Sequence, residues 1–107
     1  MVDLDPEELA TTLAILKEYL PGVTVWAFGS RISGRRRKPH SDLDLALISA
    51  APLPLATLGM VDEAFAESGL PFRVDLVDWA RASGEFRRII WRVHEPVVTR
   101  GEIPDPP

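Results

Sequence analysis

Apolar and polar positions fall into two periods along this chain. Leu9, Leu13, Leu16 and Leu20 recur every three or four residues, which draws one apolar stripe down a helix. Asp5-Pro6-Glu7-Glu8 precedes the stripe. Asp5 suits the cap, Pro6 the first helical position, and Glu8 completes a capping-box pattern. Pro21-Gly22 ends the helix. Residues 23–28 then form a continuous run of β-branched and aromatic side chains, which predicts a strand buried on both sides. Residues 43–48 repeat that pattern after two aspartates, and residues 72–77 give a third strand. Helical spacing returns over residues 55–68, where Leu55, Leu58, Val61, Asp62 and Phe65 trace one face before Gly69 supplies a stop. Ser83 caps a last helix reaching about His94, with Phe86, Ile89, Ile90 and Val93 turned inward. Pro96 stops it, and Val97-Val98 add a short edge strand. A short helix over residues 30–35 is limited by Gly34 and Pro39.

This order predicts an α/β (α+β) fold, a small mixed sheet flanked by helices. Helices of such length between strands imply crossover connections. The 107 residues suffice for one domain with one core, spanning 1–107, in which residues 101–107 read as a loose tail. No apolar run approaches the roughly 20 residues of a membrane span, and the acidic N-terminal stretch does not resemble a signal or transit peptide. Cysteine is absent, which removes disulfides, thiolate nucleophiles and Cys-ligated zinc and fits a cytoplasmic protein.

Charge sharpens the picture. The net charge of −4 argues against stable nucleic-acid binding. The cations are nevertheless clustered, with Arg31, Arg35, Arg36, Arg37 and Lys38 lying between the first two strands. This cationic loop separates Gly29-Ser30, at the end of one strand, from Asp42-Leu43-Asp44, at the start of the next. Side chains at i and i+2 of a strand point the same way, roughly 6.5–7 Å apart. Two carboxylates so placed can share divalent ions, and Mg²⁺ prefers such oxygen ligands. A glycine at a strand end admits close approach of a phosphate, and Ser30 adds a donor. Arg31 follows directly and is the expected individual phosphate contact. Asp75 lies among apolar neighbours in the third strand. If that strand adjoins the second, Asp75 completes a three-carboxylate cluster. The plainer reading pairs it with Arg73 or Arg31. Asp78 reads as the cap of the Trp79-Ala80-Arg81 turn.

Gly29-Ser30, Asp42-x-Asp44 and Asp75 in a later strand together resemble the nucleotidyltransferase superfamily typified by DNA polymerase beta. The size of the chain resembles its minimal nucleotidyltransferases (MNT). The Arg73-to-Ile90 stretch also reads like the C-terminal half of that group. The interval from Ser30 to Asp42 is about one residue longer than usual in the family, which a loop absorbs.

The resemblance implies Mg²⁺, two ions, and ATP as substrate. It assigns Asp42, Asp44 and Asp75 to metal binding and catalysis, and Gly29 and Ser30 to the triphosphate. The implied reaction is in-line attack by an acceptor hydroxyl on the α-phosphate, with pyrophosphate leaving. Many MNT proteins act as antitoxins of HEPN-domain ribonuclease toxins, silencing them by transferring AMP to a tyrosine. The resemblance therefore implies a HEPN protein as partner, in a hetero-oligomer. The alternatives are a non-catalytic antitoxin that neutralises by occlusion, or an adenylyltransferase for a small molecule or an RNA end. Trp79 and Trp91 suit either an interface or the core.

Overall fold

In the computed structural model, residues 2–29, 31–32, 42–101 and 103–107 are described. The expected short helix over residues 30–35, Ser30, the Arg35–Lys38 run and His40 lie outside them, apart from Arg31 and Ile32. The first helix, α1, spans Pro6–Tyr19. The Asp5 carboxylate accepts from the Glu8 N–H at 2.8 Å, and the Asp5 N–H donates to the Glu8 carboxylate at 3.0 Å. The capping box expected from the sequence is thus complete. Strands β1 (Thr24–Phe28) and β2 (Leu43–Ile48) follow, then helix α2 (Leu55–Ala66) and strand β3 (Val74–Asp78). A single 3₁₀ turn, Trp79–Arg81, leads to helix α3 (Gly84–Arg92) and strand β4 (His94–Val98).

The sheet order is β3-β2-β1-β4. Strand β2 runs antiparallel to β1 and parallel to β3, while β4 is antiparallel to β1. The mixed sheet flanked by helices is as expected. The crossover expectation holds for β2-α2-β3 alone, because β1 and β2 are antiparallel neighbours.

Period-2 alternation sorts side chains to two faces. Leu43, Leu45 and Leu47 of β2, with Val25 and Ala27 of β1, are buried against Leu16 of α1, Leu20 just beyond it, and Val61 and Phe65 of α2. The opposite face carries Trp26, Phe28, Ala46 and Ile48, covered by Trp79 and by Ile90 of α3. Trp26 packs edge-on against both Trp79 and Trp91, each at 5.7 Å between ring centroids. Trp79 is therefore a core residue.

The C-terminal third departs from expectation. The last helix stops at Arg92, two residues early, and β4 runs straight through Pro96. The His94 ring explains the stop. It stacks on Trp26 at 4.0 Å, and its Nδ1 meets the carbonyl oxygens of Trp91 (3.0 Å) and Ile90 (3.2 Å). Those carbonyls lack helical partners, and a side-chain nitrogen satisfies them. Ile89 and Val93, expected inward, are 63% and 49% exposed. Ile90 turns onto the sheet, with Phe86 and Trp91 packed beside it. Ser83 caps as expected, its Oγ accepting from the Phe86 N–H at 3.1 Å. Asp78 also caps as expected. It accepts from Ala80 N–H at 3.2 Å, from Leu53 N–H at 2.9 Å and from Arg81 Nη1 at 2.8 Å.

A carboxylate site where three strands meet

Three strands converge to build the site. Phe28 of β1 pairs with Asp44 of β2, which pairs in turn with Asp75 of β3. Asp44 and Asp75 are thus cross-strand neighbours on the face shared with Ala46 and Trp26. The parallel pairing of β2 with β3 brings Asp75 there, which meets the condition that the third strand adjoin the second. Asp42 lies two residues before Asp44, just ahead of β2.

Arg73 reaches across this group. Its Nε lies 3.2 Å from Asp75 Oδ1, and its Nη2 lies 3.4 Å from Asp42 Oδ2. The ion pair with Arg73, the plainer reading for Asp75, is therefore present. It extends to Asp42, which sequence reasoning missed. The signal was the Arg73-x-Asp75 spacing, since alternate strand residues share a side. The guanidinium is 73% exposed, so solvent weakens both pairs.

Asp44 sits deeper than its companions. Burial, with the charges of Asp75 and Asp42 adding to it, pushes its carboxyl up to about 6, against the partial relief that Arg73 gives. Its Oδ2 lies directly beneath Gly29, where a Cβ would collide with it. Gly29 also has φ +84°, a left-handed conformation that favours glycine. The turn closes with the Ile32 N–H on the Gly29 oxygen at 3.3 Å. Glycine here meets two demands at once, a backbone sign and a carboxylate in contact.

Arg31, the expected phosphate contact, is engaged with the protein itself. It is 2% exposed, donates from Nη1 to the Asp3 oxygen at 2.8 Å and places its guanidinium 4.0 Å from the centroid of the Phe72 ring. These contacts hold Arg31 between the N-terminal segment and Phe72.

Among the described residues, no group of three or more His, Cys, Asp or Glu side chains is gathered so as to hold a metal ion. Arg73 engages two of the three aspartates. The donor set still fits a divalent ion. It consists of hard carboxylate oxygens, and the negative charges of Asp75 and Asp42 act on the half-buried Asp44 carboxyl, where a cation would offset them.

Residues 9–103 match the model of the nucleotidyltransferase domain. The chain belongs to the nucleotidyltransferase family. It is 52% identical over 93 residues to a probable protein adenylyltransferase MntA of Haemophilus influenzae, covering 87% of this chain and 81% of the relative. In fold it is similar to a chain of a crystallised toxin–antitoxin with AMP-PNP. That likeness has TM-score 0.70 and 24% identity, over 88% of this chain and 73% of the other. A second similar chain comes from the tri-AMPylated HEPN toxin of Shewanella oneidensis in complex with MNT antitoxin. The TM-score there is 0.65, with 22% identity, over 88% and 70% of the two chains. This nucleotidyltransferase therefore has the mixed sheet of its family, with Asp44 and Asp75 in register across it. Among the described residues, no helix is long and apolar enough to cross a membrane.

Proposed function

We propose that this chain, acting as one nucleotidyltransferase domain, transfers AMP from ATP to a hydroxyl of a HEPN-domain partner and so acts as its antitoxin. The acceptor is a tyrosine. The observation that carries the reading is the register of Asp44 against Asp75, beneath a glycine that leaves room for the carboxylate. The 52% identity to a probable protein adenylyltransferase supports AMP as the transferred group. The toxin–antitoxin with AMP-PNP and the tri-AMPylated toxin complex support the nucleotide and the kind of partner.

Asp42, Asp44 and Asp75 would hold the divalent ions, two Mg²⁺. When bound, these supply positive charge to the triphosphate and to the attacking and leaving oxygens. The chain does the rest by placement. Gly29 lets the main chain approach the triphosphate, and the Ser30 hydroxyl donates to it. Asp75 accepts the proton of the incoming hydroxyl. The acceptor oxygen bonds to the α-phosphorus as the α–β bridging bond breaks, and pyrophosphate leaves with the bonding electrons.

The test incubates the chain with its HEPN partner and ATP labelled at the α- or the γ-phosphate. Label from the α-position on partner tyrosine is expected. Transfer of γ-label would replace this reading with a kinase. Neutralisation of the toxin with no label transferred would replace it with occlusion.

A further inference from the structure

A guanidinium that is 2% exposed has to be held by partners, because an unpaired buried charge is costly. Three stretches of chain meet at Arg31, its own turn and two others that supply partners. Its Nη1 donates to the Asp3 oxygen at 2.8 Å, and its own carbonyl accepts from the Asp3 N–H at 2.9 Å. Asp3 is thereby joined to Arg31 through both its main-chain groups. The guanidinium lies over Phe72, a buried ring just ahead of Arg73. The third stretch is the Gly29–Ile32 turn, in which Arg31 itself sits.

Each stretch is anchored on its far side. Val2 and Leu4 pack against the apolar core, and Leu4 N–H donates to the Val2 oxygen at 2.9 Å. The Arg73 oxygen accepts from the Leu43 N–H at 2.9 Å, tying the segment after Phe72 to the start of β2. Arg31 therefore links the glycine side of the site to the Asp75 side through contacts outside the sheet ladder.

We propose that Arg31 is a positioning residue. With residues 2–4 as a strap, it sets the spacing between the Gly29 turn, which receives the triphosphate, and the aspartates. The inference rests on the nucleotide-transfer reading of the site. Lysine cannot replace Arg31, since an ammonium lacks both the planar face over Phe72 and the fork of donors. Breaking the strap leaves the β2–β3 pairing, and with it Asp44 and Asp75, where they are. It frees the turn alone. The loss therefore falls on nucleotide binding.

The test compares Arg31→Lys, a deletion of Val2 to Leu4, and the two combined. AMP-PNP affinity is measured by calorimetry at a temperature where circular dichroism reports folded protein, alongside KM for ATP and kcat. Each single change is expected to weaken AMP-PNP and raise KM about tenfold, with a smaller change in kcat, as misplaced binding groups do. The combined variant is expected to be no worse than either single one, because both break one clasp. The deletion keeps Arg31 and tests the strap even if Arg31→Lys does not fold. Unchanged AMP-PNP affinity in the folded variants, additive losses, or a fall confined to kcat would each overturn the proposal. A parent chain that binds no AMP-PNP would instead overturn the reading of the site itself.

Discussion

The two faces of one strand differ more than any two elements of this molecule. On one side of β2, Leu43, Leu45 and Leu47 are fully buried beneath α1 and α2. On the other, Asp44 is followed by Ala46 and Ile48. The last two pack with aromatic rings, while Asp44 is only half-buried. The first face is apolar throughout, and packing there stabilises the fold. The second is divided. Its aromatic half is closed by the Trp26–Trp79 contact and His94, and in its acidic half burial, with the like charges of Asp75 and Asp42 adding to it, raises Asp44 to about 6. Folding thus spends stability at the site, as functional sites with perturbed carboxylates do.

The largest expected effect comes from Asp44→Asn, which tests that contrast directly. AMP transfer is expected to fall by roughly 10³-fold or more, the scale of losing one member of a catalytic unit. Stability moves the other way. The folded-state pKa of Asp44 lies above its ordinary value of 3.8, so between about pH 4 and pH 6 the folded protein holds more protons than the unfolded chain. Stability falls as pH rises through that window. The neutral Asn escapes this loss, so in EDTA the variant is expected to melt above the parent at about pH 7.5. The gap is expected to close as pH falls to about 4. Melting curves at both pH values check the sign, and a lower melting temperature for Asp44→Asn at neutral pH would break the comparison.

Its neighbour answers differently. Leu45→Ala removes a fully buried side chain from the closed face and is expected to cost about 2–5 kcal/mol in urea unfolding. In this variant stability should fall, whereas in Asp44→Asn activity should. A smaller effect follows for Gly29→Ala. A residue other than glycine at φ +84° costs about 1–3 kcal/mol, and its Cβ also meets the Asp44 carboxylate. Denaturant unfolding measures the first loss. AMP-PNP calorimetry on the still-folded variant measures the second, since displacing Asp44 should also weaken nucleotide binding.

Much of this was legible in the sequence because it depends on short-range pattern. The capping box at Asp5 and the buried strand 24–28 follow from side-chain period and local hydrogen bonding, and so does the Ser83 cap. The spacing of Asp42 and Asp44 placed two carboxylates together for the same reason. The end of α3 was not legible. Proline looked like the stop, yet His94 ends the helix by stacking on a tryptophan 68 residues earlier, a partner that no local window contains. Ile89 and Val93 fit the helical stripe, but the sheet receives only one ridge of so short a helix.

The sequence alone thus determined the elements, the fold class and the chemical types at the site. The tertiary structure decided what each charge faces. Parallel pairing set Asp75 beside Asp44, and burial, with charge from that other strand adding to it, raised the Asp44 pKa. It gave Arg73 two carboxylates and turned Arg31 into the core, against the N-terminal segment and Phe72. Periodicity reports which side of an element is apolar. The partner of a charged group across the fold is set by through-space distance, which appears only once the strands are in register.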